Sequence, residues 1–118
     1  MKQYLAIYTG SREAREKSGW DQMDPEKRKV LEKSGIEAWH GWMNKNQQSI
    51  VFHGGPLGKT KSISRNGVSD VVNNLAGYIV INAESYEDAA EKFLDHPHFS
   101  IFPGDAVEIM ECLPVPGM

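Results

Sequence analysis

The sequence has a single cysteine and no long apolar run. Cys112 alone cannot form an internal disulfide, which fits a protein kept in the reducing cytoplasm. No apolar stretch approaches the roughly 20 residues that a membrane-spanning helix needs. Residues 1–13 contain too short an apolar stretch for a secretion signal. We therefore expect a cytoplasmic protein with no membrane partner.

The sequence also lacks a surplus of basic residues. Lys and Arg number 13 and Asp and Glu number 16, so the net charge is −3. A general nucleic-acid binder carries clustered Lys and Arg in excess. The one basic cluster, at 27–29, is followed by Glu32 and is typical of a solvated helix face. These counts predict no nucleic-acid partner.

The hydrophobic patterning of the 118 residues predicts one domain over 1–118, with 115–118 as a flexible tail. The main strands are predicted at 3–9, 49–53, 75–82 and 106–113. Asp24 and Pro25 begin one helix, and Ser85, in a capping box with Asp88, begins a second helix that stops before Pro97. Two minor strands lie between the second and third main strands. This order predicts an α+β ferredoxin-like sandwich, in which two helices cover one face of an antiparallel sheet.

The segment VFHGGPLGKTKS at 51–62 looks at first like a phosphate-binding loop. That motif needs G-x-x-x-x-G-K-[ST] between a strand and a helix. Counting back from Gly58 places the first glycine of the motif at His53, and the residues that follow have no helical apolar stripe. Because no helix N-terminus is available for a phosphate, we interpret the segment as a glycine-rich bend that leaves a strand.

Five segments in order resemble the YCII-related family. They are KQYLAIY, AWHGWM, GGPLG, LAGYIVINAESYEDAAE and AVEIMECLP, and they span nearly the whole chain. The resemblance implies a dimeric α+β barrel, in which the sheets of a homodimer pair, and a small-molecule pocket between sheet and helices. In some members of the family a His–Asp pair is the proposed catalytic unit, and other members accompany sigma factors. The resemblance implies that either role is open to this chain. Many relatives carry Asp-Gly-Pro-Phe before the Gly-Tyr strand, but Asp70 here lacks the Gly-Pro-Phe.

Three residues are candidates for proton transfer. His53 ends a strand at a bend where backbone can approach a ligand closely, so it can act as a general base or simply bond a carbonyl or water. His40 lies opposite the core stripe of the first helix and close to where relatives carry a His. It is therefore either catalytic, solvent-facing or a subunit contact. Asp70 can orient or activate a histidine across a pocket, or it is a turn residue whose side chain is bonded by local backbone.

Five residues are candidates for substrate binding: Tyr78, Trp39, Trp42, Gly54 and Gly55. The phenol of Tyr78 can contact a ligand or pack at a sheet edge. The two tryptophans can shape an apolar cavity or belong to the core, as aromatic residues at helical spacing usually do.

The segment DHPHF at 95–99 places a carboxylate and two imidazoles at the end of the second helix. One imidazole can bind a metal together with His53 or His40. The alternative is a helix C-terminus whose dipole is complemented by cationic histidines. No paired ligand spacing recurs, so we expect no metal, and no cofactor motif is present.

Two functions remain open from the sequence. The first is a cofactor-independent enzyme that carries out proton transfer, isomerisation or elimination on a small organic ligand, with His53 or His40 moving protons and Asp70 orienting the histidine. The second is a non-catalytic module that binds an effector or a partner protein in transcriptional control. The missing Gly-Pro-Phe and the absence of a clear His–Asp dyad support the second, whereas the family resemblance and the four histidines favour the first, which is our prediction.

Overall fold

The chain forms one antiparallel sheet, a separate hairpin, four α-helices and two short 3-10 helices within residues 1–117, which the computed structural model describes. The elements are β1 (Lys2–Thr9), α1 (Arg12–Ser18), α2 (Pro25–Lys45), β2 (Ile50–Pro56), β3 (Thr60–Ser64), β4 (Gly67–Val71), β5 (Leu75–Ala83), α3 (Tyr86–Glu91), α4 (Pro97–Ser100) and β6 (Ala106–Glu111). Over these residues, no helix is both long enough and apolar enough to cross a bilayer. The tail predicted at 115–118 includes Met118, which lies outside the described residues.

The main sheet has four strands in the order β2-β5-β1-β6, and its neighbouring strands are antiparallel. The first strand in sequence is therefore central and the last lies at one edge, as in a ferredoxin-like sandwich. Helices α2 and α3 pack on one face of this sheet. The predicted α+β class and topology are confirmed. The predicted minor strands form the β3–β4 hairpin, which pairs apart from the main sheet.

The period-two alternation of β1 decides which face is buried. Tyr4, Ala6 and Tyr8 point to the helix face and are at most 6% exposed, whereas Leu5 and Ile7 point to the opposite face and are only partly buried. The same alternation holds in β5, where the residues that lie opposite Tyr4, Ala6 and Lys2 of β1 belong to the core. One face of the sheet thus carries the core and the other remains open.

The helix starts follow the capping signals. Pro25 is the first residue of α2, where its fixed φ suits a helix and its missing N–H costs nothing, although the Asp24 side chain makes no capping bond. At α3 the Oγ of Ser85 accepts a hydrogen bond from the Asp88 N–H at 3.1 Å, and Oδ2 of Asp88 accepts one from the Glu84 N–H at 3.0 Å. The capping box is therefore confirmed, although the backbone N–H that donates to Asp88 belongs to Glu84, the residue before the N-cap.

Strand β2 extends past the point where the sequence analysis ended it. It continues through Gly54 to Pro56 along β5, with a shift in register between Phe52 and Gly55. Gly54 has φ 59°, and a Cβ there would overlap the carbonyl oxygen of Tyr78. Only glycine permits this close approach, so the glycines bend the strand without ending it. The predicted absence of a helix after Gly58 is confirmed, because a strand begins at Thr60.

Candidate active site

A cavity of about 300 Å³ lies on the helix side of the sheet, at the end where β2 meets β5. Its walls are formed by residues 53–56 and 76–79 and by Tyr8, Trp39, Met43 and His98. Among the described residues that line it there is no Lys, Arg, Asp or Glu. The polar side-chain groups that can act on a ligand there are thus few: hydroxyls and imidazoles. Ligand sites of small molecules are commonly of this kind.

Tyr8 lies at the centre of a cluster of rings beside the cavity. Its ring centroid is 5.0 Å from that of Trp39 and 5.2 Å from those of His96 and His98. The Tyr8 side chain is on the helix face of β1, and the residue is 6% exposed. Burial raises the pKa of its hydroxyl, so Tyr8 keeps its proton at neutral pH.

His98 is held in one orientation by the end of β1. Its Nε2 lies 2.7 Å from the carbonyl oxygen of Thr9, and a carbonyl can only accept, so Nε2 carries a proton. In the neutral ring the other nitrogen, Nδ1, is then unprotonated. Over residues 1–117 no group forms a hydrogen bond to this Nδ1. His98 therefore borders the cavity with an imidazole of fixed tautomer, whose Nδ1 accepts no hydrogen bond from the described residues.

Gly104 makes the position of His98 possible. Its backbone N–H donates to the carbonyl of His98 at 3.0 Å, which closes the loop after α4. A Cβ on residue 104 would overlap the imidazole of His98 and its carbonyl oxygen. The ring can occupy this position only because residue 104 has no side chain.

His96 is the N-cap of α4. Its Nδ1 accepts a hydrogen bond from the backbone N–H of His98 at 3.0 Å, and its Nε2 lies 3.5 Å from the hydroxyl of Tyr8. The residue is 1% exposed. Burial, with the neighbouring His98 as a smaller cause, lowers the pKa of His96 to about 4. His96 is therefore neutral at physiological pH.

Five of the residues predicted for the site line this cavity: His53, Tyr78, Trp39, Gly54 and Gly55. His53 is exposed, whereas Trp39 and Tyr78 are half-buried. The bend in β2 brings them together, because it carries residues 53–56 along β5. Their functional roles stay predictions.

The other three predicted site residues lie outside the cavity lining. His40 is exposed on α2 beside a neighbouring recess, and Asp70 lies on β4, where it pairs with Lys61 at 2.6 Å. Trp42 packs on the core, and its Nε1–H donates to the carbonyl of Lys92 at 2.6 Å. In the part of the chain that the structure describes, no histidine is hydrogen-bonded to a carboxylate. The catalytic roles of His40 and Asp70 stay predictions.

The DHPHF segment differs from its predicted place in the fold. The sequence analysis placed both histidines at a helix C-terminus, but Pro97 begins a new helix and His96 caps its N-terminus. That placement is wrong because the fixed φ of proline favours the first position of a helix. Within residues 1–117 no group of three His, Cys, Asp or Glu side chains is arranged to hold a metal ion.

The sequence analysis did not single out Tyr8, and it weighed His96 and His98 only as metal ligands or dipole partners. A signal for His96 was present, since a polar residue before proline is a common N-cap pattern. No local signal marks His98, because the carbonyl that holds its ring by a hydrogen bond belongs to Thr9, which is 89 residues away in sequence.

Comparisons with known proteins place the fold but give no family. No family model and no curated protein matches the chain. Among solved structures it is similar to 5-chloro-2-hydroxyhydroquinone dehydrochlorinase (TftG) of Burkholderia phenoliruptrix AC1100, solved with 2,5-dihydroxybenzoquinone. The two are 12% identical over 92% of this chain and 90% of that chain, with a TM-score of 0.53. A hypothetical protein of Arabidopsis thaliana, solved in solution, is 18% identical over 99% of this chain and 90% of that chain, with a TM-score of 0.41. The first likeness shows a shared α+β fold.

Proposed function

We propose that this chain is a YCII-related, cofactor-independent enzyme that moves protons on a small oxygenated ring compound, as an isomerase or an eliminating enzyme. The observation that carries the proposal is His98. Its Nε2–H is held by the Thr9 carbonyl, and its unpartnered Nδ1 belongs to a ring that borders an apolar cavity. A single positioned base of this kind is what proton abstraction needs.

The bond between His98 and Thr9 would serve the base in both of its protonation states. When Nδ1 takes a proton from the ligand, the ring becomes an imidazolium and its Nε2–H still donates to the Thr9 carbonyl at 2.7 Å. The carbonyl dipole stabilises the positive charge and keeps the ring from rotating. The same bond therefore orients the base before the transfer and stabilises it afterwards.

The cavity lining supports the proposed substrate class. Aromatic rings of Tyr8 and Trp39 form part of its wall, and its volume of about 300 Å³ suits a molecule of one ring. Because no described lining residue is a cation, a carboxylate group would lose hydration there without a compensating ion pair. TftG, which shares the fold, was solved with 2,5-dihydroxybenzoquinone, a small oxygenated ring.

The open face of the sheet supports the homodimer that the YCII-related resemblance implies. Phe52 is 56% exposed and Met110 is 43% exposed on that face, beside the partly buried Leu5 and Val80. Register places all four on the side away from the helices. We propose that a second copy of this chain covers this apolar face, since exposed apolar patches of this kind usually mark an interface.

A second candidate function is a non-catalytic module that binds an effector. It is favoured by one observation: residues 1–117 contain no histidine hydrogen-bonded to a carboxylate, so the His–Asp pair proposed in some relatives has no counterpart. Under this alternative the cavity binds the same class of ligand, but His98 transfers no proton.

The first experiment combines a ligand screen with a proton-exchange assay. Thermal shifts against phenols, hydroxylated ring ketones, small acids and nucleotides at pH 6 and pH 8 identify binders, because a ligand at a hundredfold excess over its Kd stabilises by about 2.7 kcal/mol. Each binder is then incubated with the protein in D2O, and deuterium incorporation is followed by NMR. We expect a ring compound to bind and to exchange.

Variants of two histidines decide the assignment. His98→Gln retains an N–H that can reach the Thr9 carbonyl but has no base, so we expect exchange to fall about 10²- to 10⁴-fold with binding retained. His40→Gln changes an exposed ring outside the cavity lining. Loss of exchange in His40→Gln alone would return the catalytic role to His40. Binding without exchange in the wild type would favour the effector module.

A further inference from the structure

The hydrogen bonds of His96 fix which of its nitrogens carries the proton. A backbone N–H can only donate, so the bond from the His98 N–H to His96 Nδ1, at 3.0 Å, requires a lone pair on Nδ1. In the neutral ring the proton is then on Nε2. This ring is 1% exposed, so water does not compete for either nitrogen.

The tautomer of His96 decides the direction of the next hydrogen bond. Its Nε2 lies 3.5 Å from the hydroxyl oxygen of Tyr8, a long contact. Since Nε2 is protonated, it donates and the Tyr8 oxygen accepts. The hydroxyl proton of Tyr8 is left for another acceptor, and over residues 1–117 no other group forms a hydrogen bond with this hydroxyl. Tyr8 borders the cavity.

We propose that the Tyr8 hydroxyl donates a hydrogen bond into the cavity to an acceptor oxygen of the ligand, a ring carbonyl or an ionised ring hydroxyl, and that His96 is the positioning residue that sets this direction. The inference rests on the proposed function, because it assigns the oxygen-binding group of the same cavity.

The protonation states of the two residues agree with this assignment. Burial raises the pKa of the Tyr8 hydroxyl, so it remains a donor instead of becoming a phenolate. Burial also lowers the pKa of His96, which keeps Nδ1 free for the His98 N–H. Both residues therefore hold these roles throughout the neutral range.

Donation by Tyr8 complements proton abstraction by His98. As a C–H bond next to a ring carbonyl breaks, its proton forms an N–H bond at His98 Nδ1. The C–H electron pair forms the C=C bond of an enolate, and the π pair of the carbonyl moves onto its oxygen. That oxygen gains negative charge and accepts the hydrogen bond from Tyr8. A donor aimed at the oxygen where charge develops lowers the barrier more than it stabilises the substrate.

The first test needs no ligand. Long-range ¹H–¹⁵N correlation spectra of the ¹⁵N-labelled protein at pH 7 report the protonation of each ring nitrogen, and His96→Asn assigns the signals. We expect His96 to be neutral with its proton on Nε2. A proton on Nδ1, or on both nitrogens, would overturn the inference. This measurement needs neither a ligand nor activity, so its outcome does not depend on whether the proposed function is correct.

The second test uses 4-nitrophenol, whose ionised form absorbs visible light, and 4-nitroanisole, which lacks the hydroxyl. We expect the wild type to bind the nitrophenolate, and Tyr8→Phe to weaken that binding about 10- to 100-fold, as expected for a hydrogen bond to a charged oxygen. Binding of 4-nitroanisole should not change. Tyr4→Phe is the matched control, because Tyr4 is a buried tyrosine of the same strand outside the cavity lining.

His96→Asn tests the positioning role. Asn can still accept from the His98 N–H as an N-cap, so α4 is retained, but it places no ring N–H against Tyr8. In His96→Asn we expect the pKa of bound 4-nitrophenol, read from its absorbance, to rise above its value in the wild type, towards the value for 4-nitrophenol bound to Tyr8→Phe. Equal nitrophenolate binding by wild type and Tyr8→Phe, or no binding of either probe by the wild type, would overturn the oxygen-binding role. If either of these two results were found while His98→Gln still lost deuterium exchange of a ligand, the proposed function would remain supported and only the role of Tyr8 would fail.

Discussion

The burial of His96 makes the stability of the protein depend on pH in a definite window. The folded state lowers the pKa of His96 from 6.5 to about 4. Between these values the unfolded chain binds a proton at His96 and the folded protein does not. The free energy of unfolding therefore falls as the pH drops through 6.5, and this loss levels off once the pH is below about 4.

The size of the effect follows from the pKa difference. Each pKa unit corresponds to about 1.4 kcal/mol, so full protonation removes about 3 kcal/mol, and lowering the pH from 8 to 5 removes about 2 kcal/mol. The entropy of unfolding scales with chain length and is about 0.25 kcal/mol/K for a chain of this size. We therefore expect His96 to contribute a decrease in Tm of about 8 °C between pH 8 and pH 5.

Differential scanning calorimetry of the wild type and His96→Asn at pH 8, 7, 6 and 5 measures this contribution. Asn can keep the capping bond to the His98 N–H while removing the titrating ring. The variant should lose about 2 kcal/mol less than the wild type over this range. His40→Asn, which removes an exposed imidazole from α2, should keep the full loss.

An identical pH dependence in wild type and His96→Asn would contradict a lowered pKa for His96 in the folded protein. It would mean that the ring of His96 takes up its proton without cost in the folded protein. Such a ring would be solvated, and the hydrogen bond from the His98 N–H to Nδ1 could not persist at pH 5. The assignment of the Tyr8 donor direction would fail with it.

Two further predictions concern the cavity and the open face. Gly104→Ala should reduce proton exchange as strongly as His98→Gln does, because a Cβ at 104 overlaps the His98 ring, and it should lower stability by about 1–3 kcal/mol in urea denaturation. Unchanged exchange would show that the ring position is not required. Phe52→Asp should convert a dimer to a monomer in light scattering after gel filtration, whereas Val30→Asp, which places the same charge at an exposed apolar residue of α2 on the other side of the sheet, should not. A wild type that is monomeric at all concentrations would contradict the proposed homodimer.

The fold was predictable because its signals are local. Alternation along β1 separates Tyr4, Ala6 and Tyr8 from Leu5 and Ile7, and this period of two is enough to identify a half-buried strand. Ser85 and Asp88 mark a helix start through backbone bonds that span only three or four residues. The order of such elements limits an antiparallel sheet with two helices to few topologies.

The boundaries that the sequence analysis missed depend on contacts between strands. Strand β2 continues beyond His53 because Gly54 allows the chain to pass close to the carbonyl of Tyr78. Glycines in a strand read locally as a break, since they lower strand propensity. Whether they end a strand or bend it depends on the partner strand, which local sequence does not reveal.

The candidate site depends even more on distant contacts. His53 and Tyr78 were identifiable from the bend and the strand that form the cavity rim. The tautomer of His98, by contrast, depends on the Thr9 carbonyl, and that of His96 on a backbone N–H two residues away. A sequence shows which imidazoles exist, but their chemistry is decided by the groups that face each nitrogen.

Tyr8 shows why an aromatic residue in a core pattern can also be a site residue. Its alternation with Leu5 and Ile7 is fully accounted for by packing, so nothing in the pattern asks for a further role. Yet the same burial that places the ring in the core also keeps its hydroxyl protonated and removes competing water. At the end of β1 the sheet borders the cavity, so Tyr8 packs as core, contacts His96 through its hydroxyl and also lines the cavity. The position of a residue along the strand, more than its type, therefore separates Tyr8 from Tyr4, whose hydroxyl is buried with no partner among the described residues.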